Sequence, residues 1–111
     1  DVTGVAIELR ELQCADLDEI VRDKCLKAFE KIGRPLIVEH TGLSIEALGG
    51  LPGGLTQLFW DQLQADGVVS LLAGRAPGAA VTATTVIGYC DGKRLHLFRG
   101  EVKGTIAAAP A

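Results

Sequence analysis

With 111 residues, 48% of them hydrophobic and few of them aromatic, the chain has the composition of one compact domain spanning 1–111 rather than of a disordered segment. Its formal net charge of -3, with acidic residues gathered toward the N-terminal end and basic ones scattered, lacks the electrostatic footprint of a nucleic-acid binder. Apolar runs are short or interrupted and no basic segment leads an apolar stretch, so neither a membrane-spanning helix nor a secretory signal is expected.

The first stretch, up to Glu11, is acidic and alternates with apolar residues, which reads as strand-like. A carboxylate at Glu11 is then equally an oxygen ligand for Mg²⁺ or an exposed strand residue. From Asp16 to Lys31, Leu17, Ile20, Val21, Cys25, Leu26, Ala28, Phe29 and Ile32 recur at helical spacing, with Asp16 or Asp18 as the N-cap and Gly33 as the stop. Taken singly, Lys24 and Lys27 on this helix belong to a solvated face.

After Pro35, the run Leu36 to Val38 has buried-strand character and leads into a polar turn, Glu39-His40-Thr41-Gly42. Helix followed by strand is an α/β pattern, and the end of a buried strand is where such folds place a ligand crevice. Glu39 and His40 point to opposite faces if the strand persists, and the alternative reading of both is a solvated strand end.

Gly49 to Gly54 is a loop, since its glycines and Pro52 disfavour either regular state. It lacks the Lys-Ser/Thr ending of a P-loop, so a structural turn explains it as well as a phosphate cradle does. A helix is predicted from about Leu55 to Gln64, broken at Asp66-Gly67, with a short helical piece through Leu72. Its neighbours Phe59 and Trp60 diverge around the helix and suit core or interface. Beyond a turn at Gly74 to Gly78, Ala80 to Cys90 and Arg94 to Arg99 form a hairpin about Asp91-Gly92, and a strand resumes from Glu101 to Ile106. His96 alternates with Leu95 and Leu97 as an ordinary strand histidine. Cys14, Cys25 and Cys90 have no metal-binding spacing and are odd in number, which suits reduced thiols and a cytoplasmic location.

An ordered set of segments goes beyond these separate readings: Glu39-His40-Thr41-Gly42-Leu43, Ala47-Leu48-Gly49-Gly50-Leu51-Pro52-Gly53, Leu71-Leu72-Ala73-Gly74 and Leu97-Phe98-Arg99-Gly100 with Gly104 to Ile106. The set resembles the inosine triphosphate pyrophosphatase family from about Glu8 onward. The resemblance implies a mixed β-sheet flanked by helices, a truncated nucleoside triphosphate pyrophosphatase-like fold. It also implies hydrolysis of non-standard purine nucleoside triphosphates (ITP, XTP, dITP) to monophosphate and pyrophosphate with Mg²⁺, and a homodimer.

By position, the resemblance makes Glu11 a metal ligand, Lys24 a phosphate contact, Glu39 the first residue of the family's acidic pair and Thr41 the hydroxyl residue after that pair. His40 stands where the family has its second acid, usually aspartate, and so inherits a catalytic and metal-binding position with an imidazole. Gln57 stands where some members carry a phosphate-contacting lysine. The family's Ser/Thr-x-Asn-x-x-Lys phosphate loop and its Phe-Gly-x-Asp-Pro and Ser-His-Arg base-reading stretches are not among these residues. Beside a pyrophosphatase of reduced activity stand two rivals, a nucleotide-binding module without the chemistry and a dimerisation domain.

Overall fold

A computed structural model of the chain describes residues 4–71 and 80–105. The elements are α1 (Leu17–Ile32), β1 (Leu36–Ile45), a single 3-10 turn at Glu46–Leu48, β2 (Pro52–Gly53), α2 (Thr56–Leu71), β3 (Ala80–Cys90) and β4 (Leu95–Thr105). The α/β expectation holds. The strands lie in the order β2-β1-β3-β4. Each of the three pairings among the described residues is antiparallel, so no parallel pair contributes there to the mixed sheet that was expected.

Helix α1 has the ends its sequence calls for. The Asp16 carboxylate accepts from the N–H groups of Asp18 at 2.9 Å and Glu19 at 3.4 Å, which makes Asp16 the cap. Gly33 closes the helix at φ 70° and donates its N–H to the Phe29 carbonyl, a left-handed geometry that a glycine adopts without steric cost. Leu17, Val21 and Cys25 on its inner face meet Val86 and Cys90 of β3 in the main core, flanked by Leu36, Val38, Leu95 and Leu97. Close packing here depends on β3 carrying no side chain at Gly88, where a Cβ would run into Cys25 and Val21.

Strand β1 does not stop at Val38. It runs on through the expected turn, with Glu39 opposite Ile87, His40 opposite Val86 and Thr41 opposite Thr85, and ends only at Ile45. Ten consecutive cross-strand partners outweigh the weak strand preference of Glu39, His40 and Gly42. Gly42 is required where β2 crosses, because a Cβ there would strike the Gly53 carbonyl. Thr56 clamps the same crossing: its hydroxyl accepts from the Leu43 N–H at 2.7 Å and donates to the Gly53 carbonyl at 2.6 Å.

The break in α2 falls at Gln64, whose φ of 56° and ψ of 179° are non-helical, rather than at Asp66-Gly67. The Gln64 side-chain amide donates to the carbonyls of Trp60 and Asp61, supplying partners for the end of the first helical segment. The Phe59 side chain packs beside Ile45 in a second, smaller core, whereas Trp60 is 43% exposed. The β3–β4 hairpin forms as expected, with the Asp91 carboxylate accepting from the N–H groups of Lys93 and Arg94. The turn at Gly74 to Gly78, the end of the helical piece at Leu72 and the end of the last strand at Ile106 lie outside the described residues.

Candidate functional site

Alternation along β1 sorts the polar residues. Val38, His40 and Gly42 face α1, and Ile37, Glu39 and Thr41 face the other way. His40 therefore sits under the N-terminal segment with its side chain 12% exposed, and its Nδ1 lies 3.4 Å from Glu11 Oε1. Its Nε2 is buried without a hydrogen-bond partner. Lys24 reaches from α1 to the same strand and donates to the main-chain carbonyl of Glu39 at 3.1 Å. Glu11, His40 and Lys24 are thus brought together on one face.

The segment holding Glu11 is not a strand: residues 4–14 adopt no regular structure. Lysines of α1 hold it in place of a neighbouring strand. Lys27 donates to the Arg10 carbonyl at 2.6 Å and Lys31 to the Glu8 carbonyl at 3.0 Å. The solvated-face reading of Lys24 and Lys27 is corrected on this point, since both ammonium groups are spent on main-chain oxygens, and Lys27 also pairs with Asp23 at 2.7 Å. The helix periodicity places these lysines on one side of α1 but says nothing of what lies within their reach.

The remaining expected residues lie elsewhere. The Glu39 carboxylate accepts from the Thr41 hydroxyl at 3.4 Å, and Thr41 shares a 2.7 Å hydrogen bond with the Thr85 hydroxyl, all on the face away from α1. Thr85 was not foreseen; only the β1–β3 register brings it opposite Thr41. On α2, the Gln57 amide donates to Asp61 at 2.8 Å. His96, exposed on β4, is flanked by Tyr89 and Phe98 at ring separations of 6.4 and 6.5 Å and is the strand histidine expected.

A cavity of about 750 Å³ opens between residues 4–9, α1 and the start of β1. Ile7, Leu9, Ala28 and Val38 give it apolar walls, and Lys24 lines it. Neither Glu11 nor His40 is part of its lining. The Glu11–His40 contact offers one imidazole and one carboxylate, and no group of three or more histidine, cysteine, aspartate or glutamate residues suited to a metal occurs among the described residues. An all-oxygen octahedral cage of the kind Mg²⁺ takes is not built by these side chains alone. No helix among the described residues is long and apolar enough to cross a membrane.

The chain is similar to known proteins in sequence and in fold. A dITP/XTP pyrophosphatase of Methanopyrus kandleri is 38% identical over 111 residues, 99% of this chain and 58% of the relative. An inosine triphosphate pyrophosphatase of Fusarium vanettenii is 37% identical, with 98% of this chain and 59% of the relative covered. The fold matches the crystal structure of a nucleoside-triphosphatase / dITP/XTP pyrophosphatase from Mycobacterium abscessus with a TM-score of 0.79 at 18% identity, covering 97% of this chain and 60% of that one. A HAM1 protein from Coxiella burnetii superposes with a TM-score of 0.80 at 21% identity, covering 95% and 57%. The chain therefore spans a little under three fifths of the curated relatives it matches. The profile of the Ham1 family matches residues 1–111 from end to end, and the chain belongs to that family.

Proposed function

We propose that this chain carries the central part of a nucleoside triphosphate pyrophosphatase acting on non-standard purine nucleotides such as ITP, XTP and dITP. The observation that carries the reading is the match of the whole chain to the Ham1 family, whose similar members bear those activities in their names. The convergence of Glu11, His40 and Lys24 on one face of β1 supports it.

In this reading water attacks the α-phosphorus, the bond from that phosphorus to the bridging oxygen breaks, and pyrophosphate leaves. Lys24 exchanges its main-chain carbonyl for phosphate oxygens and offsets their charge. His40 accepts the proton of the attacking water. A divalent cation, if bound, would lie beside Glu11 and His40 with phosphate oxygens and water completing its shell. The resemblance implies Mg²⁺ as that cation, which when bound would neutralise the phosphates. Glu39 meets the site through its main-chain carbonyl, while its carboxylate role, and those of Thr41 and Gln57 as substrate contacts, rest on the resemblance alone. A symmetric homodimer and a cytoplasmic location belong to the same proposal. Exposed Trp60 and the apolar strip Ile37, Ile87 and Phe98 on the open sheet face support the first, and three free cysteines the second.

The test is pyrophosphate release from ITP, XTP and ATP by the purified chain. Slow release from ITP and XTP with little from ATP is expected, and no release from any of them, with the fold intact by circular dichroism, defeats the proposal.

A further inference from the structure

We propose that the cavity between residues 4–9 and β1 is a strand-receiving slot, filled by an extended apolar segment of a separate polypeptide that carries an acidic end. On one side β1 is paired with β3 over its whole length, but on the other β2 covers only Leu43 and Ser44. On that second side Leu43 donates its N–H to the Thr56 hydroxyl and Ile45 donates to the Leu51 carbonyl. Main-chain groups alternate from side to side along a strand, so Ile37 and Glu39 present theirs to the same edge. The Glu39 carbonyl agrees with this, since it accepts from Lys24. No strand or loop among the described residues pairs with the edge from Leu36 to His40.

The cavity lies beside that edge, in the plane of the sheet. Its lining includes both Val38, which faces α1, and Ile37, which faces the opposite way, so the space is neither wholly above nor wholly below the strands. Its far wall is residues 4–9, whose Ile7 and Leu9 line it and whose sequence alternates like a strand but forms no ladder. One residue of a strand inside a sheet takes up about 3.3 Å along the strand, about 4.8 Å across it and about 10 Å through the sheet, or about 160 Å³. A space of about 750 Å³ therefore holds about five residues of one added strand. Free N–H and C=O groups along an edge are a template for such a strand, and the apolar walls favour apolar side chains on it. Lys24 and Arg34 line the slot and no carboxylate joins them there, which favours an acidic residue at the end of the segment. An N–H of the incoming strand would take over the Glu39 carbonyl and release the Lys24 ammonium group.

The probe is a fluorescently labelled hexapeptide of valine, isoleucine and threonine ending in glutamate, with its binding to the purified chain followed by anisotropy. It is compared with the same peptide N-methylated at alternate residues and with one ending in lysine. The glutamate-ended peptide is expected to bind at micromolar concentration, and N-methylation to weaken it at least about tenfold, since it removes main-chain donors. Arg34→Glu is expected to reverse the preference for glutamate over lysine. Binding should also slow amide exchange at Ile37 and Glu39 while leaving the outer edge of β4 unchanged. Absence of binding, binding indifferent to N-methylation, or slowing along β4 instead overturns the inference. Slow exchange at Ile37 and Glu39 before peptide is added would show the edge already covered, and self-association that the peptide disrupts would give the slot to a second copy of the chain; either result also overturns it. No nucleotide is present, so the outcome is independent of ITP hydrolysis.

Discussion

Nδ1 of His40 and Oε1 of Glu11 lie 3.4 Å apart across the seam between β1 and the N-terminal segment. Glu11 is exposed, so its replacement by glutamine removes a charge without opening the core. Glu11→Gln is expected to keep the melting temperature within a few degrees and to lower ITP hydrolysis about 10- to 100-fold. His40→Asp is expected to act in the opposite direction with Mg²⁺, raising Mg²⁺-dependent hydrolysis by restoring an oxygen donor. Pyrophosphate release measured at saturating Mg²⁺ checks both, and an unchanged rate in both variants would take the pair out of the site.

Thr56 provides a test of what holds β2 against β1. Thr56→Val keeps the shape but leaves the Leu43 N–H without its acceptor and the Gly53 carbonyl without its donor. A loss of about 1–3 kcal/mol in urea unfolding is expected, and Thr56→Ser should recover most of it. A loss in Thr56→Ser with none in Thr56→Val would show that the methyl group, not the hydroxyl, matters.

Burial, reinforced by Cys90 and opposed by Lys24, pushes the Cys25 thiol from its ordinary 9.0 up to about 11. Between those values the folded chain keeps the proton that the unfolded chain releases, so stability is complete below pH 9 and falls as pH rises toward 11. Cys25→Ala removes that contribution. Urea midpoints followed through this window should decline more steeply for the parent chain than for the variant, and parallel declines would contradict the assignment. The same burial predicts that Cys25 reacts with iodoacetamide only after unfolding, whereas Cys14 is partly exposed.

Trp60 bears on assembly. Its neighbour Phe59 is taken into the small core with Ile45, and Trp60 is left 43% exposed on the outer side of α2. Sedimentation at micromolar concentration is expected to show a dimer that Trp60→Ala weakens about tenfold or more. A monomer would defeat the prediction, and a dimer indifferent to the substitution would place the contact elsewhere.

Much of α1 and the β3–β4 hairpin was legible because their signals are local. Asp16, Gly33 and the 3.6-residue apolar spacing act within the helix, and Asp91-Gly92 acts within the turn. The continuation of β1 was not legible, since Glu39, His40 and Gly42 look like a turn until Ile87, Val86 and Thr84 supply their partners. The break in α2 was misplaced for a related reason: Asp66-Gly67 has the breaker composition, but the Gln64 amide provides the substitute bonds that let the chain depart from helix earlier. The strand end marked His40 and the acidic stretch marked Glu11 as candidates, but only family resemblance joined them with Lys24. Nothing in spacing alone joins a carboxylate before α1 to an imidazole after it.

The lysine contacts of α1 have a consequence for how firmly Glu11 is aimed. Main-chain pairing in a sheet fixes a segment residue by residue, whereas Lys27 and Lys31 grip residues 8–10 by two flexible, chargeable arms. Such a tether responds to chemical modification in a way a strand does not. Acetylating those ammonium groups would leave the Leu17, Val21 and Cys25 core untouched and cut the carboxylate loose from the ring it faces. The aim of Glu11 is thus set by the charge state of the surface of α1, while the core below determines only where His40 waits.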